Sequence, residues 1–214
     1  MESPDHALRV TLDPMIHLGT PEFCAFVQSQ TSASVVVIHE GVDSPIVRRI
    51  TRSYCWIRPE RLGLVVQPKV DFFGSDASLR SGDLASEDFD ERWRTLPMAL
   101  GSTFEVAAAG VGLWSRAFGR HDRIGRSAAT DLLFEHRDYM MWSPKKPWLL
   151  DVILDVRDDR LWAVLQNELG CATGKPSGIA VMWRALHMRS LVQRLYAFPG
   201  FPTVASVWIK IYPA

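Results

Sequence analysis

Histidine, cysteine and acidic side chains are the residues of this chain best suited to chemistry. None of the histidines has the HxH or HExxH spacing that places two imidazoles on one face of a strand or helix. No two cysteines form a CxxC pair. We therefore predict no metal site and three reduced thiols, and we expect burial to raise the pKa of Cys24, which has apolar neighbours. The histidines are His6, His17, His39, His121, His136 and His187, and the cysteines are Cys24, Cys55 and Cys171.

Motifs for nucleophilic catalysis and for phosphate binding are also missing from the sequence. It contains no GxSxG, no GxxxxGK[ST] and no GxGxxG, and the segment GCATGK at 170–175 lacks the glycine spacing of a phosphate-binding loop. Asp155, Asp158 and Asp159 fall in a predicted hairpin turn, where aspartate is typically a solvated turn residue. The sequence therefore predicts a protein that is not an enzyme and has no cofactor.

Basic and aromatic side chains offer a better case for binding. A basic segment runs from Arg116 to Arg126, and two tryptophans flank two lysines in a proline-rich segment. Tryptophan and arginine are enriched at protein-binding hot spots. A solvated loop, aromatics folded back on the core, and docking of the acidic stretch 83–91 are the alternatives. The predicted interaction surface consists of Trp142, Lys145, Lys146, Trp148, Arg120, Arg123 and Arg126.

Composition limits the class of protein. The 214 residues are 47% hydrophobic and 22% charged, with no formal net charge, as is typical of a soluble globular chain. No apolar run is long enough to span a bilayer, the first residues do not form a secretory signal, and the balanced charge argues against strong nucleic-acid binding. We predict a single globular domain over 1–214, with a mobile acidic loop at about 74–90 and no membrane association.

The elements that would position these residues are mostly predicted to be strands. Period-2 or β-branched patterns predict strands at 7–13, 22–28, 34–40, 46–57 and 62–66, and the polar segment GSDASLRSGDLASEDFD separates these strands from the later elements. A bulged strand is predicted at 104–118, a hairpin at 148–166, an amphipathic helix at 179–198 and a last strand at 203–212. This predicts an α+β fold, predominantly antiparallel β-sheet (sandwich or barrel-like) with one late amphipathic helix.

Several blocks, taken in order, resemble one protein family. They are VVVIHEGVDSPIVRR (35–49), ERLGLVV (60–66), DERWR (90–94), GRSAATDLL (125–133) and LLDVILDV (149–156). This series is similar to the small alphaherpesvirus nuclear protein encoded by the fourth gene of the unique long region, over residues 33–156. The resemblance implies a non-catalytic viral accessory protein in the host nucleus, gathered in nuclear bodies of infected cells with other viral or host nuclear proteins.

Two other classes of function remain open from the sequence. One is an enzyme or degenerate nucleotide-binding fold whose site residues are dispersed along the chain. The other is a self-associating, β-rich scaffold or matrix-like protein. The absence of catalytic motifs and the family resemblance favour the same function. We therefore predict protein–protein interaction through an exposed aromatic and basic surface.

Overall fold

The structure is a computed structural model that describes residues 1, 8–16, 18–52, 56, 59–67, 77–118, 154–172, 177–198, 201–207, 209 and 211. Of these residues, 58% are helical and 19% lie in strands. The prediction of a predominantly antiparallel sheet with one helix is therefore wrong. The fold is an α/β arrangement built on a parallel sheet.

The main sheet has four strands in the order β1-β6-β3-β5, and each neighbouring pair is parallel. The strands are β1 (Leu8–Met15), β3 (Val36–His39), β5 (Ser78–Ser81) and β6 (Ser177–Arg184). The predicted strands at 7–13 and 34–40 are confirmed. Consecutive parallel strands must be joined by long crossover connections, and these connections usually contain helices. A parallel sheet and a high helix content therefore occur together.

Two short strands lie apart from this sheet. Strand β2 (Leu18–Gly19) pairs antiparallel with β4 (Val65–Val66), and a 3₁₀ turn at Pro59–Leu62 precedes β4. Only the last part of the strand predicted at 62–66 is therefore extended. This is the one antiparallel pairing among the described residues.

The predicted strand at 22–28 is helical throughout and that at 46–57 is helical over 46–51, and a local signal explains both. Helix α1 (Pro21–Ser32) begins after Thr20, whose side chain accepts a hydrogen bond from the Phe23 backbone N–H. Helix α2 (Pro45–Thr51) begins after Ser44, which caps it in the same way. A hydroxyl residue followed by proline is a helix start, because proline needs no N–H partner in the first turn. This signal outweighs the β-branched residues that favoured strands.

The predicted acidic loop and the predicted bulged strand are also corrected. Of residues 74–90, the described part contains β5, and helix α3 (Ser86–Thr95) begins there with Glu87 and Asp88 in its first turn. Carboxylates at this position stabilise the helix dipole rather than indicating a loop. Helix α4 (Met98–Phe118) replaces the bulged strand, so alanine propensity outweighs Gly110 and Gly112.

The last third contains a helix where a hairpin was predicted, and a strand where a helix was predicted to start. Helix α5 (Val156–Cys171) covers 156–171, β6 follows at Ser177, and helix α6 (Ala185–Ala197) completes the unit. The apolar residues of β6 include pairs three and four positions apart, which is the spacing of a helical stripe. A central parallel strand is buried on both faces and is therefore apolar throughout, so it contains the same spacing. The predicted helix is therefore right only from 185 onward.

The main sheet is covered on both faces. Helices α5 and α6 pack on one face, where Leu161, Leu165 and Leu191 join Val181 and other strand residues. Helix α1 packs on the other face through Phe23 and neighbouring residues. Helices α2 and α3 form a third apolar cluster with Trp93 at its centre. The result is a three-layer sandwich with an added helical cluster.

The C-terminal residues that the structure describes, 201–207, 209 and 211, have no regular secondary structure. The strand predicted at 203–212 is therefore not found there. Among the described helices, none has both the length and the apolar character required to cross a bilayer.

Candidate functional site

The carboxyl ends of the strands carry a cluster of charged residues. Glu40 directly follows β3, and Asp83 lies just beyond β5. Arg157 is in the first turn of α5, which runs back across the sheet and so begins at this same edge. Residues far apart in sequence meet here because parallel strands end at one edge. We call Glu40, Asp83, Arg157, Asp158 and His187 the edge cluster.

Arg157 is the centre of this cluster. Its Nε and Nη2 donate to the two oxygens of Asp83 at 2.9 and 2.6 Å, and Nη2 also donates to Glu40 at 2.6 Å. The guanidinium lies 5.7 Å from the centre of the Trp183 ring. Burial acts to lower the pKa of Arg157, but the hydrogen bonds and charges of Asp83 and Glu40 outweigh it and raise that pKa.

The two carboxylates also bind backbone groups. Asp83 accepts from the N–H of Gly41 at 3.1 Å and from that of Leu84 at 2.9 Å. Glu40 accepts from the N–H of Arg184 at 2.7 Å. The cluster therefore ties the ends of β3, β5 and β6 to α5. This is a structural use of groups that could also do acid–base chemistry.

A second buried pair joins the first turns of the two helices on this face. His187 of α6 lies with its Nδ1 2.5 Å from Oδ1 of Asp158 of α5. Both side chains are almost fully buried, and the His187 ring meets Trp183 edge to face at 5.9 Å. The interpretation of Asp158 as a solvated turn residue is wrong. The pair fixes α6 against α5.

Asp13 is a third buried acidic group, two positions before the end of β1. Its Oδ2 is buried and has no hydrogen-bond partner. Burial raises the pKa of Asp13 to about 7, so the carboxyl is protonated at mildly acidic pH, where an ordinary aspartate is ionised. A neutral carboxyl costs less to bury than a carboxylate, which explains how the sheet accommodates it.

The strand order produces a topological switch point at this edge, between β1 and β6. The chain leaves β1 toward α1 on one face and leaves the adjacent β6 toward α6 on the opposite face. Open parallel sheets generally bind ligands where neighbouring connections diverge in this way. The end of β1, with Asp13, and the end of β6, with Trp183, border this position.

A different feature stands on helix α4, well away from the sheet. One face of α4 carries uncharged side chains at spacings of three and four, and all of them are exposed. Val106 is 71% exposed, Leu113 58% and Trp114 51%. We call this face the α4 stripe, and it consists of Val106, Ala107, Gly110, Leu113, Trp114 and Ala117.

The opposite face of α4 is the one that meets the rest of the molecule. It carries small residues, including Gly101, Ala108 and the buried Gly112. Gly101 lies against the Trp93 indole, and Glu105 accepts two hydrogen bonds from Arg49 of α2 at 3.0 and 3.1 Å. The large apolar side chains of the α4 stripe, Val106, Leu113 and Trp114, are thus more than half exposed although they lie together on one helix face. Such exposure of contiguous apolar surface is typical of an interaction site.

The predicted interaction surface lies outside the described residues. This applies to all seven of its members: Trp142, Lys145, Lys146, Trp148, Arg120, Arg123 and Arg126. Arg116, the first residue of the basic segment, is exposed near the end of α4.

Two cysteines and the possible metal ligands lie within the described residues. Cys24 is buried on α1, and burial raises its pKa as expected. Cys171 is also a free thiol, and it is exposed. Among the residues that the structure describes, no three histidine, cysteine or acidic side chains are grouped to hold a metal ion.

Sequence reasoning missed both the edge cluster and the α4 stripe. Arg157 lies 117 positions from Glu40 and 74 from Asp83, so no local spacing links them. A sign was nevertheless present, because Glu40 directly follows a β-branched run, as residues at the carboxyl edge of a sheet do. The stripe was hidden because α4 was taken for a strand.

Comparison with protein-family models, with curated proteins and with solved structures finds no match to this chain. The resemblance to the alphaherpesvirus nuclear protein therefore stays a prediction.

Proposed function

We propose that this protein acts by binding other proteins through its surface, and that the α4 stripe is the docking surface. The observation that carries the proposal is the exposure of apolar side chains along one face of α4. Val106 and Leu113 are more than half exposed, and Ala107, Gly110 and Ala117 on the same face are exposed as well. Burying such side chains at an interface is favourable, by about 25 cal/mol for each Å² of apolar surface removed from water.

The proposal also includes where and in what role the protein acts. The sequence blocks at 33–156 that resemble the alphaherpesvirus family support a viral accessory role in the host nucleus, beside other viral or host nuclear proteins. The internal bonding of the edge cluster supports a non-catalytic role, since Arg157 is hydrogen-bonded to both Asp83 and Glu40.

The test compares three tagged forms in cells infected with an alphaherpesvirus: the natural chain, Leu113→Glu and Met98→Glu. Met98 is on the same helix and 86% exposed but lies off the stripe, so it is a matched control. We expect the natural chain and Met98→Glu to enter nuclear bodies and to retain the same co-purified proteins, and Leu113→Glu to lose them. Binding must then be reproduced with the purified partner. Equal behaviour of all three forms would contradict the proposal.

A second candidate function is favoured by the topological switch point between the ends of β1 and β6. Its position is the usual ligand site of an open parallel sheet, so a small-molecule or nucleotide ligand is the alternative. A thermal-shift screen with nucleotides and divalent metals tests it, because a ligand that binds only the folded state raises the Tm. For this candidate we expect a rise of several degrees that Asp13→Asn reduces and Leu113→Glu does not change.

A further inference from the structure

Three polar side chains and one methionine form a row across the main sheet, at the carboxyl end of its strands. The register sets Asp13 of β1 beside Met182 of β6. It sets His39 of β3 on the other side of Met182 and Ser81 of β5 beyond His39. Residues at one level of a parallel sheet point to the same face, and Met182 belongs to the apolar cluster under α1. We call Asp13, Met182, His39 and Ser81 the α1-face row.

Asp13 is the unsatisfied member of this row. Its carboxyl oxygen Oδ2 is buried without a hydrogen-bond partner, and 6% of the residue is exposed. Burial alone raises the pKa of Asp13, so no cation close by compensates its ionised form. Buried polar groups of folded proteins are nearly always hydrogen-bonded, and an exception calls for an explanation. The group that Asp13 lacks is a hydrogen-bond donor, and a cationic donor would suit the carboxylate best.

The other end of the row is closer to solvent and offers both donors and acceptors. Ser81 is exposed and His39 is partly exposed. Nδ1 of His39 lies 3.3 Å from the carbonyl oxygen of Glu40, and a proton on Nδ1 leaves Nε2 as an acceptor. The Ser81 hydroxyl accepts from the N–H of Asp83 at 3.4 Å, and its own O–H is a donor. This end of the row therefore suits a hydroxyl group, which both donates and accepts.

Met182 lies between the two ends. Asp13 and His39 are separated by two strand spacings, about 10 Å, which is too far for a direct hydrogen bond. Met182 is 2% exposed, and an unbranched methionine side chain adapts easily to its neighbours. Rotation of its thioether would open the path from His39 to Asp13 and leave an apolar surface along it. A molecule that joins the two ends therefore needs a short hydrocarbon chain in its middle.

We propose that the α1-face row binds a small primary amine that carries a hydroxyl group at the far end of its chain. The ammonium group donates to Asp13, and the hydrocarbon chain packs on Met182. The hydroxyl group hydrogen-bonds to His39 and Ser81. An ammonium group supplies both the donor and the positive charge that a buried carboxylate requires. A phosphate or carboxylate group in its place would be repelled by Asp13.

The inference rests on the second candidate function, because it names the class of ligand for the same edge of the sheet. Asp13 lies near the end of β1 and Met182 near the end of β6, and the topological switch point is between these two strands. Open parallel sheets generally bind their ligands at such a point.

The first experiment is isothermal titration calorimetry at about pH 8, where Asp13 is ionised, with 4-amino-1-butanol, butylamine and 1,4-butanediol as probes. We expect the amino alcohol to bind with a Kd of about 1 mM, as is usual for so small a ligand. Butylamine lacks the hydroxyl group and should bind severalfold more weakly. The diol lacks the charge and should bind at least about tenfold more weakly. An amino alcohol that does not bind, or a diol that binds equally well, would overturn the proposal.

Variants identify the two ends of the site. Asp13→Asn keeps the shape of the side chain but removes its charge, and it should weaken binding of the amino alcohol at least about tenfold. Asp43→Asn removes an exposed carboxylate and is the matched control, with unchanged affinity. His39→Ala should weaken binding of the amino alcohol severalfold and leave that of butylamine unchanged. Equal affinities of Asp13→Asn and the natural chain would contradict the assignment.

NMR of methyl-labelled methionine reports where binding takes place. The chain contains seven methionines, and the signal of Met182 is assigned by its loss in Met182→Leu. The amino alcohol should shift the Met182 signal and leave that of Met98, which is 86% exposed on α4, in place. An unchanged Met182 signal under binding conditions would place the amine elsewhere and overturn the proposal.

These results separate the inference from the second candidate function. Failure of the amino alcohol, together with stabilisation by a nucleotide that Asp13→Asn removes, would overturn the amine while ligand binding at this edge stands. Failure of both kinds of ligand would overturn both. Leu113→Glu should bind the amino alcohol as the natural chain does, because the α4 stripe is a different surface, and weaker binding would contradict the α1-face row as the site.

Discussion

At the residue scale, the most unusual groups are charged side chains placed in the interior. Asp83 has a fully buried side chain and Arg157 is almost as buried. Taking such ions out of water is costly, and the cost is offset only when each is paired and hydrogen-bonded. The contacts of Arg157 with Asp83 and Glu40 meet that condition. The edge cluster therefore stabilises the fold only as a set, and loss of one member leaves the others unpaired.

Arg157→Met tests this dependence. It keeps an apolar stem but removes the guanidinium, so Asp83 is left buried without its cation, and we expect the free energy of unfolding to fall by about 3–5 kcal/mol. Arg194→Met is the matched control, because Arg194 pairs with Asp159, which is 70% exposed. That change should cost no more than about 1 kcal/mol. Urea denaturation measures both, and equal losses would contradict a special role for the buried pair.

Asp13 predicts a pH dependence of stability. Its pKa is about 7 in the folded chain against 3.8 as the ordinary value, so the folded state binds the extra proton between these pH values. Stability from this group is therefore present at low pH and is lost as pH rises from about 4 to above 7, by roughly 4 kcal/mol in all. In Asp13→Asn this loss should disappear.

The measurement is the free energy of unfolding of both chains from pH 4.5 to pH 8. The free energy of unfolding of Asp13→Asn relative to that of the natural chain should increase from pH 4.5 to about pH 7 and then level off. Asp43→Asn, at an exposed position whose carboxylate faces Arg48 at 3.6 Å, serves as the control for removing a charge. Parallel curves for the natural chain and Asp13→Asn would show that Asp13 titrates alike in folded and unfolded chains.

At the element scale, two glycines have opposite functions. Gly110 lies in the middle of α4 with open space around it, so it only weakens the helix. Gly82 lies just after β5, where an added Cβ would come within 2.8 Å of side-chain atoms of both Ile38 and Trp183. The first glycine is thus open to substitution within one chain, and the second is required by packing.

Alanine substitutions distinguish the two positions. Gly110→Ala should raise the free energy of unfolding by about 0.5–1 kcal/mol, because alanine restricts the unfolded chain and favours helix. Gly82→Ala should lower it by about 1–3 kcal/mol through overpacking. Urea denaturation measures both changes. A loss in Gly110→Ala would mean that α4 is held more tightly than its exposure indicates.

At the scale of the whole molecule, partner binding should connect stability to concentration. Anything that binds the folded chain and not the unfolded chain raises the apparent Tm by mass action. If a partner protein covers the α4 stripe, an excess of the purified partner should raise the Tm of the natural chain by a few degrees. The Tm of Leu113→Glu should not change on the same addition, and differential scanning calorimetry measures both. A constant Tm for the natural chain would contradict docking at the stripe.

Local patterns of the sequence were sufficient for part of this fold. The alternation in 8–12 and the β-branched run at 35–38 predicted β1 and β3, because side-chain burial on a strand follows the chain directly. Composition predicted a folded globular chain. The caps at Thr20-Pro21 and Ser44-Pro45 were also present in the sequence, and reading them as helix starts would have corrected α1 and α2.

Only the tertiary structure decided how these pieces are used. The apolar run of β6 fits a helix or a buried strand equally well, and its place between β1 and β3 selects the strand. Arg157 meets Glu40 and Asp83 because three chain segments end at one edge, a contact that no spacing encodes. The outward direction of Leu113 likewise depends on which face of α4 packs against α2 and Trp93. Burial and long-range pairing are properties of the assembled chain, so the candidate sites appeared only with the fold.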